Sequence, residues 1–185
     1  MKFRIFVSSV QKELAEERRA VRDFVQGDPL LRRYFSVFLF EDLPASDRRA
    51  DEVYLKEVDR SDVYVGLFGR EYGAADGHAS SPTEREFDRA TAKGKTRLIF
   101  VKGSDDKGRD PRMLQLIRRA GDELIRRRFQ GGTDLTAAVY ASLVDHLETT
   151  GRLRTLPFDA SAWQRATLQD IDPERVSAFL RTARR

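Results

Sequence analysis

Apolar residues in this chain come in short β-branched and aromatic runs, separated by longer stretches with helical spacing. The clearest case lies between residues 61 and 101. Residues 62–68, D-V-Y-V-G-L-F, are apolar almost throughout and end at Gly69, which predicts a strand buried on both faces. Residues 97–101, R-L-I-F-V, form a second run of this kind. Residues 83–93 between them can make about three helical turns, with Gly94 placed as a C-cap. Strand, helix, strand at this spacing is a βαβ unit, so the two strands are expected to be parallel. In an open parallel sheet ligands sit outside the carboxyl ends of the strands. The loop of residues 69–82 leaves such an end and leads to Glu84 and Glu86.

The rest of the chain extends the alternation. Residues 2–7, K-F-R-I-F-V, predict the first strand. A helix over residues 10–26 follows, with Val10, Leu14, Val21, Phe24 and Val25 on its apolar stripe. Ser8 and Ser9 stand before it as N-cap candidates. Gly27-Asp28-Pro29 ends it. Residues 35–40 predict the second strand and residues 47–60 the next helix, with Ala50, Val53, Tyr54, Leu55 and Val58 as its apolar positions. Beyond the 97–101 strand and a polar loop, residues 111–119 begin a helix that Gly121 is expected to interrupt. Residues 124–129 read equally as an edge strand or as more helix. Residues 133–149 form a helix with Leu135, Val139, Leu143 and Leu147 at four-residue spacing. The order predicts a three-layer α/β sandwich, residues 1–150, around a mostly parallel central sheet of four to five strands. Residues 151–170, which hold the sole tryptophan (Trp163), read as an extended linker. Asp172-Pro173-Glu174 opens a last helix, with an acidic N-cap and proline at N1. Its half apolar face of Val176, Phe179 and Leu180 either packs back on the domain or marks the start of a further region of a longer protein.

Composition narrows the function classes. With 185 residues and 40 % hydrophobic content the chain can bury a core. It contains no cysteine, which excludes disulfides and thiolate metal sites and fits a reducing, cytoplasmic compartment. The first strand begins almost at Met1, leaving no space for a signal peptide, and no apolar run approaches the roughly 18 residues of a membrane span. Net charge is +4. Most of it is local: residues 109–129 hold seven Arg against Asp110, Asp122 and Glu123. This reads as a solvated helix face or as a surface for an acidic partner. It lacks the interleaved aromatics of a single-strand nucleic-acid binder, so nucleic acid is not an expected partner.

Among candidate chemical groups Glu86 leads. Thr83, Phe87 and Ala90 share one side of the short helix and Glu86 lies at its edge, toward the cleft, while Arg85 and Asp88 point away and Glu84 flanks the opposite edge. A half-buried carboxylate at a strand's carboxyl end can stabilise or capture an oxocarbenium ion when an N-glycosidic bond breaks. The competing reading is a T-x-x-E capping box over residues 83–86, in which Glu86 bonds back to the N-cap amide. Ser8 and Ser9 can hold phosphate at a helix N-terminus or simply cap it; no G-x-G-x-x-G or Walker lysine accompanies them. Tyr72, between Gly69 and Gly73, offers a ring platform or lid, or packs on the strand end. Asp42 can reach a sugar hydroxyl from the end of the second strand, or serve its turn. His78 and His146 stand alone, so neither metal nor cofactor is expected, and His78 reads as a solvated loop residue.

The segments IFVSSVQKELAEER, EVDRSDVYVGLFGREYG and SPTEREFDRATAKGKTRLIFVK together resemble an uncharacterised prokaryotic domain of unknown function (4062). Its marks are a strand ending in F-V-S-S, an L-x-x-E-R helix, an S-D-V-Y-V-G-L strand followed by Y-G, and an S-x-T-E-x-E-F helix. The resemblance covers about residues 1–150. It implies a TIR-like or flavodoxin-like fold, related to nucleoside 2-deoxyribosyltransferases, at the N-terminus of multidomain signalling or helicase-like regulators. The tail from residue 156 resembles a segment of those regulators. In the transferase pattern D-x-G-T-x-x-E-x-x-x-A, with Glu as nucleophile, Thr83, Glu86 and Ala90 match, while Ser80 and Pro82 occupy the Asp and Gly positions. TIR-type NAD-cleaving enzymes also carry a Glu on the helix after this loop, and Glu86 is its nearest equivalent.

The resulting expectation is a sensor or effector domain of a cytoplasmic signalling protein. A nucleotide or NAD-like ligand would sit in a cleft formed by Ser8, Ser9, Asp42, Phe68, Gly69, Tyr72, Ser81 and Glu84, with Glu86 as the catalytic group if the ligand is cleaved. Expected partners are that small molecule and further domains of the full-length chain, without a membrane. The alternative is a non-catalytic module that assembles with itself or other proteins.

Overall fold

The computed structural model describes residues 2–42, 50–74 and 79–153. The chain divides into two units, Met1–His146 and Leu147–Arg185. Of the second, residues 147–153 are described: the N–H groups of Gly151 and Arg152 return to the carbonyls of Glu148 and Leu147. The expected helix from Asp172, Trp163 and His78 lie outside the described residues.

The elements run β1 (Phe3–Ser8), α1 (Ala15–Gly27), α2 (Leu31–Tyr34), β2 (Phe35–Phe38), a 3₁₀ turn (Phe40–Asp42), α3 (Ala50–Arg60), β3 (Val63–Phe68), α4 (Pro82–Ala92), β4 (Thr96–Lys102), α5 (Pro111–Glu123), β5 (Arg126–Phe129) and α6 (Gly132–Thr149). The five strands form one sheet in the order β2-β1-β3-β4-β5. Every described pairing is parallel. This is the doubly wound, flavodoxin-like order.

Both faces of the sheet are covered, which is why β3 is buried at all six positions. Side chains alternate along a strand. On one face Phe6, Tyr64, Phe68, Ile99 and Val101 pack with Val58 of α3, Phe87 and Ala90 of α4, and Met113, Leu116, Ile117 and Ala120 of α5. The other set, including Ile5, Val7, Val63, Val65 and Leu67, is equally buried, as are Val21 and Val25 of α1 and Leu135, Val139 and Leu143 of α6. Phe24 and Tyr140 join α1 to α6 edge-on at 6.2 Å. Phe3 meets His146 at 4.9 Å.

Several expected boundaries move. The helix predicted from residue 10 starts at Ala15, because residues 11–14 make a separate turn closed by Leu14 N–H on Val10 O at 3.1 Å. β2 stops at Phe38 and gives way to the 3₁₀ turn. Asp28 does more than end α1: its carboxylate accepts the N–H groups of Leu30 and Leu31, at 2.9 and 2.7 Å, and so starts the short α2.

Gly121 does not interrupt α5, which continues to Glu123. The absent side chain is instead the space taken by the Arg126 guanidinium, which donates to Ile117 O at 2.8 Å. Residues 126–129 form the edge strand, paired with Ile99–Lys102.

The arginines of the basic segment are exposed, as a solvated face requires, with Arg109 the exception. Arg109 is buried and donates to Lys102 O at 2.8 Å and to Gly69 O, tying together the ends of β4 and β3. Arg119 pairs with Glu84 and Asp88, and Arg128 with Asp106.

Gly66 is confined within β3. A Cβ there would stand 2.9 Å from Ile99 Cδ1, 3.0 Å from Tyr64 Cε1 and 3.2 Å from Phe68 Cε1. Overpacking of this kind typically costs about 1–3 kcal/mol. Gly66→Ala is therefore expected to lower the unfolding free energy by that amount, read as a lower urea midpoint at an unchanged m-value, and an unchanged midpoint would show that the rings shift freely.

Candidate functional site

β1 and β3 are neighbours, with Ser8 opposite Gly66. From β1 the chain crosses to β2 on one side, and from β3 to β4 on the other. Their carboxyl ends therefore flank the point where the winding reverses, and ligands of such sheets bind there. A cavity of about 430 Å³ opens at this point. Its polar lining includes Ser9, Gln11 and Lys12 after β1, Glu71 after β3, and Thr83 and Glu86 on α4. Phe6, Phe40 and Tyr54 supply an aromatic wall, in which Phe40 meets Tyr54 edge-on at 4.6 Å.

Glu86 reaches the cavity because of how α4 is fixed. The helix begins at Pro82, with Ser81 as N-cap; Ser81 Oγ accepts Glu84 N–H at 3.3 Å. At its other end the N–H groups of Gly94 and Lys95 bond to Thr91 O and Ala90 O, a Schellman closure with Gly94 at φ 61°. Thr83, Glu86, Phe87 and Ala90 are its buried residues. Glu86 is 7 % exposed.

The capping box expected over residues 83–86 is displaced. Ser81 and Glu84 occupy its N-cap and N3 positions, and Tyr72 closes it. The Tyr72 hydroxyl accepts Ser81 N–H at 3.1 Å and donates to Glu84 Oε2. Proline after a serine is itself an N-terminal signal, and Ser81-Pro82 was the sequence cue for this start.

Freed from capping, Glu86 accepts a hydrogen bond from Ser8 Oγ at 2.5 Å. Burial raises the Glu86 pKa to about 7, against the pull of the Ser8 hydroxyl and the positive charges of Arg18 and Arg85. The carboxyl group can thus hold or release a proton near neutrality, as a group used in acid, base or nucleophilic chemistry must.

Ser8 and Ser9 do not cap α1, which starts six residues further on. Ser8 ends β1 and holds Glu86, while Ser9 lines the cavity and accepts from Arg18 Nη1 at 3.3 Å. Arg18 is buried at the cavity wall. It donates to Val7 O at 2.9 Å and binds Glu41 through two nitrogens at 2.8 and 2.7 Å.

Of the other expected site residues, Phe68 is buried in the core and Ser81 in the helix cap. Asp42 pairs with Arg22 at 2.9 Å. Tyr72 is buried beneath the Arg112 guanidinium, 4.3 Å from its ring centroid, and burial together with the Glu84 carboxylate raises its phenol pKa. Glu84 is held by Tyr72 and Arg119. None of these five lines the cavity with Glu86. Arg85, expected to point into solvent, is half-buried.

Gly69 has a separate reason. A Cβ would collide with the Glu13 carboxylate, which accepts the N–H groups of Arg70 and Glu71 at 2.6 and 3.0 Å. Glu13, Lys12, Arg18, Phe40 and Tyr54 were not read from the sequence as site residues. Their only early signal is position, just beyond the ends of β1 and β2 or on the helices that follow.

Fold and site thus define a doubly wound α/β domain with a polar and aromatic cavity at its switch point. The chain belongs to the family described as Domain of unknown function (DUF4062), which matches residues 4–144. No curated protein matches the sequence. Among solved structures, the CMP N-glycosidase BcmB of Clostridium botulinum aligns with a TM-score of 0.47 and 14 % identity, over 76 % of this chain and 98 % of that one. Oxidised flavodoxin 1 from Bacillus cereus aligns with a TM-score of 0.45 and 13 % identity, over 80 % and 99 %. Among the described residues no helix is long and apolar enough to cross a membrane.

The raised Glu86 pKa fixes the sign of a stability change. Below pH 4.5 the group is protonated both folded and unfolded. Between 4.5 and about 7 only the unfolded chain releases the proton, so folding stability falls as pH rises and levels off above 7. The full difference is about 3 kcal/mol. Glu86→Gln is expected to abolish this fall, raising stability relative to wild type at pH 8 more than at pH 5. Parallel urea curves at the two pH values check it, and an equal effect at both would remove Glu86 as the titrating group.

Proposed function

We propose that this domain binds a nucleoside, nucleotide or NAD-like molecule in the switch-point cavity, and that Glu86 cleaves its N-glycosidic bond. The observation that carries the reading is Glu86 itself: a buried carboxyl group titrating at about 7, held by Ser8, in the wall of a cavity that also offers an aromatic surface. The volume is in the range of pockets that enclose small organic ligands. Phe40 and Tyr54 offer a face for a planar base, and Ser9, Gln11, Lys12 and Thr83 offer polar partners for a sugar or phosphate.

In the proposed reaction the bond from the base nitrogen to the sugar C1′ breaks with its electron pair leaving on the base. Ionised Glu86 captures or stabilises the cationic C1′. Water then adds at C1′, and its proton balances the charge on the departing base. The products are free base and a sugar with a C1′ hydroxyl. Ser8 orients the carboxylate, and Arg18 and Arg85 favour its ionised form.

In the wider protein this would serve a sensor or effector domain of a cytoplasmic signalling chain. The non-catalytic assembly reading has one observation of its own: Ile125, at the entry to the edge strand, is 99 % exposed.

Calorimetric titration with NAD, ADP-ribose, nucleoside monophosphates and deoxynucleosides, followed by chromatography for released base, tests the proposal. Wild type is expected to bind at least one of these and release base. The rate should rise through pH 7 as Glu86 ionises and then level off, while Glu86→Gln binds without release. Binding without release by wild type would reduce the site to a sensor. Neither binding nor release, with concentration-dependent self-association, would favour assembly.

A further inference from the structure

Behind Glu86 lies a phenol that the proposed reaction leaves unused. Tyr64 on β3 is 0 % exposed, and its hydroxyl has no hydrogen-bond partner among the described residues. A buried hydroxyl in that condition loses its hydration without compensation, so natural structures contain few of them. A phenylalanine would fill the same space without that cost.

Its surroundings are specific. Tyr64 points to the same face of the sheet as Gly66, and its Cε1 atom lies where a Cβ on Gly66 would touch it. The ring therefore runs along β3 toward the carboxyl end of the sheet. Gly66 is paired with Ser8. Phe6 stacks on the ring at 6.3 Å, and Phe87, the residue after Glu86, meets it edge-on at 6.2 Å. The hydroxyl is thus carried past a missing side chain toward the pair Ser8–Glu86. Burial and the Glu86 charge disfavour loss of its proton, while Ser8 lies near enough to favour it through hydrogen bonding. Yet no hydrogen bond of ordinary geometry joins Tyr64 to Ser8. Ser8 gives its one proton to Glu86 Oε2, which leaves its oxygen able to accept another.

We infer that Tyr64 is a positioning residue of the candidate site, whose hydroxyl turns its proton onto Ser8 Oγ when Glu86 is ionised, completing a Tyr64–Ser8–Glu86 chain. A chain of this kind polarises each successive bond and so strengthens the last, to the carboxylate. No proton changes owner along it. The other groups acting on Glu86 are Arg18 on α1 and Arg85 on α4, and Asp88 and Arg18 act on Tyr64 as well. The chain would favour ionised Glu86 through a neutral donor on Oε2 rather than through an ion pair. The inference rests on Glu86 as the working group of the site but not on the identity of any ligand.

The test therefore uses no ligand. Glutamate δ-carbons are labelled in the full chain, Glu86 is assigned by its loss in Glu86→Gln, and its titration is followed by NMR. Tyr64→Phe is expected to raise the Glu86 midpoint by about half a pH unit or more. The same change made on top of Ser8→Ala is expected to have no effect, because the intermediate link is already gone. An unchanged midpoint in Tyr64→Phe, or an equal shift with and without Ser8, would overturn the chain and leave Tyr64 as core packing. On the unaltered protein, the Tyr64 ζ-carbon should shift through the Glu86 midpoint, and a flat trace there would equally overturn it. Base release by a protein that fails these tests would leave the proposed reaction intact, and success here without base release would retain the chain while removing the reaction.

Discussion

The chain leaves β1 and β3 in opposite directions, so the carboxyl ends of these neighbouring strands are left without a shared connection above them. The candidate site gathers around that gap. Ser8 ends one strand, Gly69 follows the other, and α4 brings Glu86 over Ser8. The gap also imposes a cost. Backbone groups at the strand ends need partners, and side chains from distant segments provide them. Glu13 caps the N–H groups of Arg70 and Glu71, and Arg109 takes the carbonyls of Gly69 and Lys102. Glycine at position 69 is required because the Glu13 carboxylate occupies the space of a side chain.

The same arrangement explains why one carboxyl group differs from its neighbours. Glu84 and Glu86 are two residues apart on one helix, yet they do opposite work. Glu84 meets Tyr72 and Arg119 and fixes the start of the helix. Glu86 is turned by the helical period onto the sheet, where it loses water and gains a neutral hydroxyl in place of a cation. Environment, not residue type, separates the two carboxylates.

Much of the fold was legible because its strands are buried on both faces. The runs 62–68 and 97–101, the helix between them and their parallel pairing all follow from local pattern. So did the burial of Thr83, Phe87 and Ala90, and with it Glu86. What local pattern could not supply was partnership across long separations. Ser8 and Glu86 are joined across the sheet, and nothing in either segment announces the other. The helix cap was misplaced by two residues because T-x-x-E is a valid cap in isolation, while Ser81-Pro82 wins once Tyr72 arrives to complete it. Gly121 looked like a breaker because a glycine made for close approach and one made for a turn look alike in sequence. Arg109 could not be told from the exposed arginines after it, because its acceptors, Gly69 O and Lys102 O, lie on other elements.

Among the described residues the sheet ends at β5, where the exposed Arg126, Arg127 and Arg128 stand in sequence. A bare strand edge is a template on which further strands can polymerise. A second copy aligned there would bring its own three arginines against these, and like charges at strand spacing repel. Charges on an edge strand oppose pairing of this kind. The residues that look, in the sequence, like a surface waiting for a partner are of the kind that keeps strand edges apart.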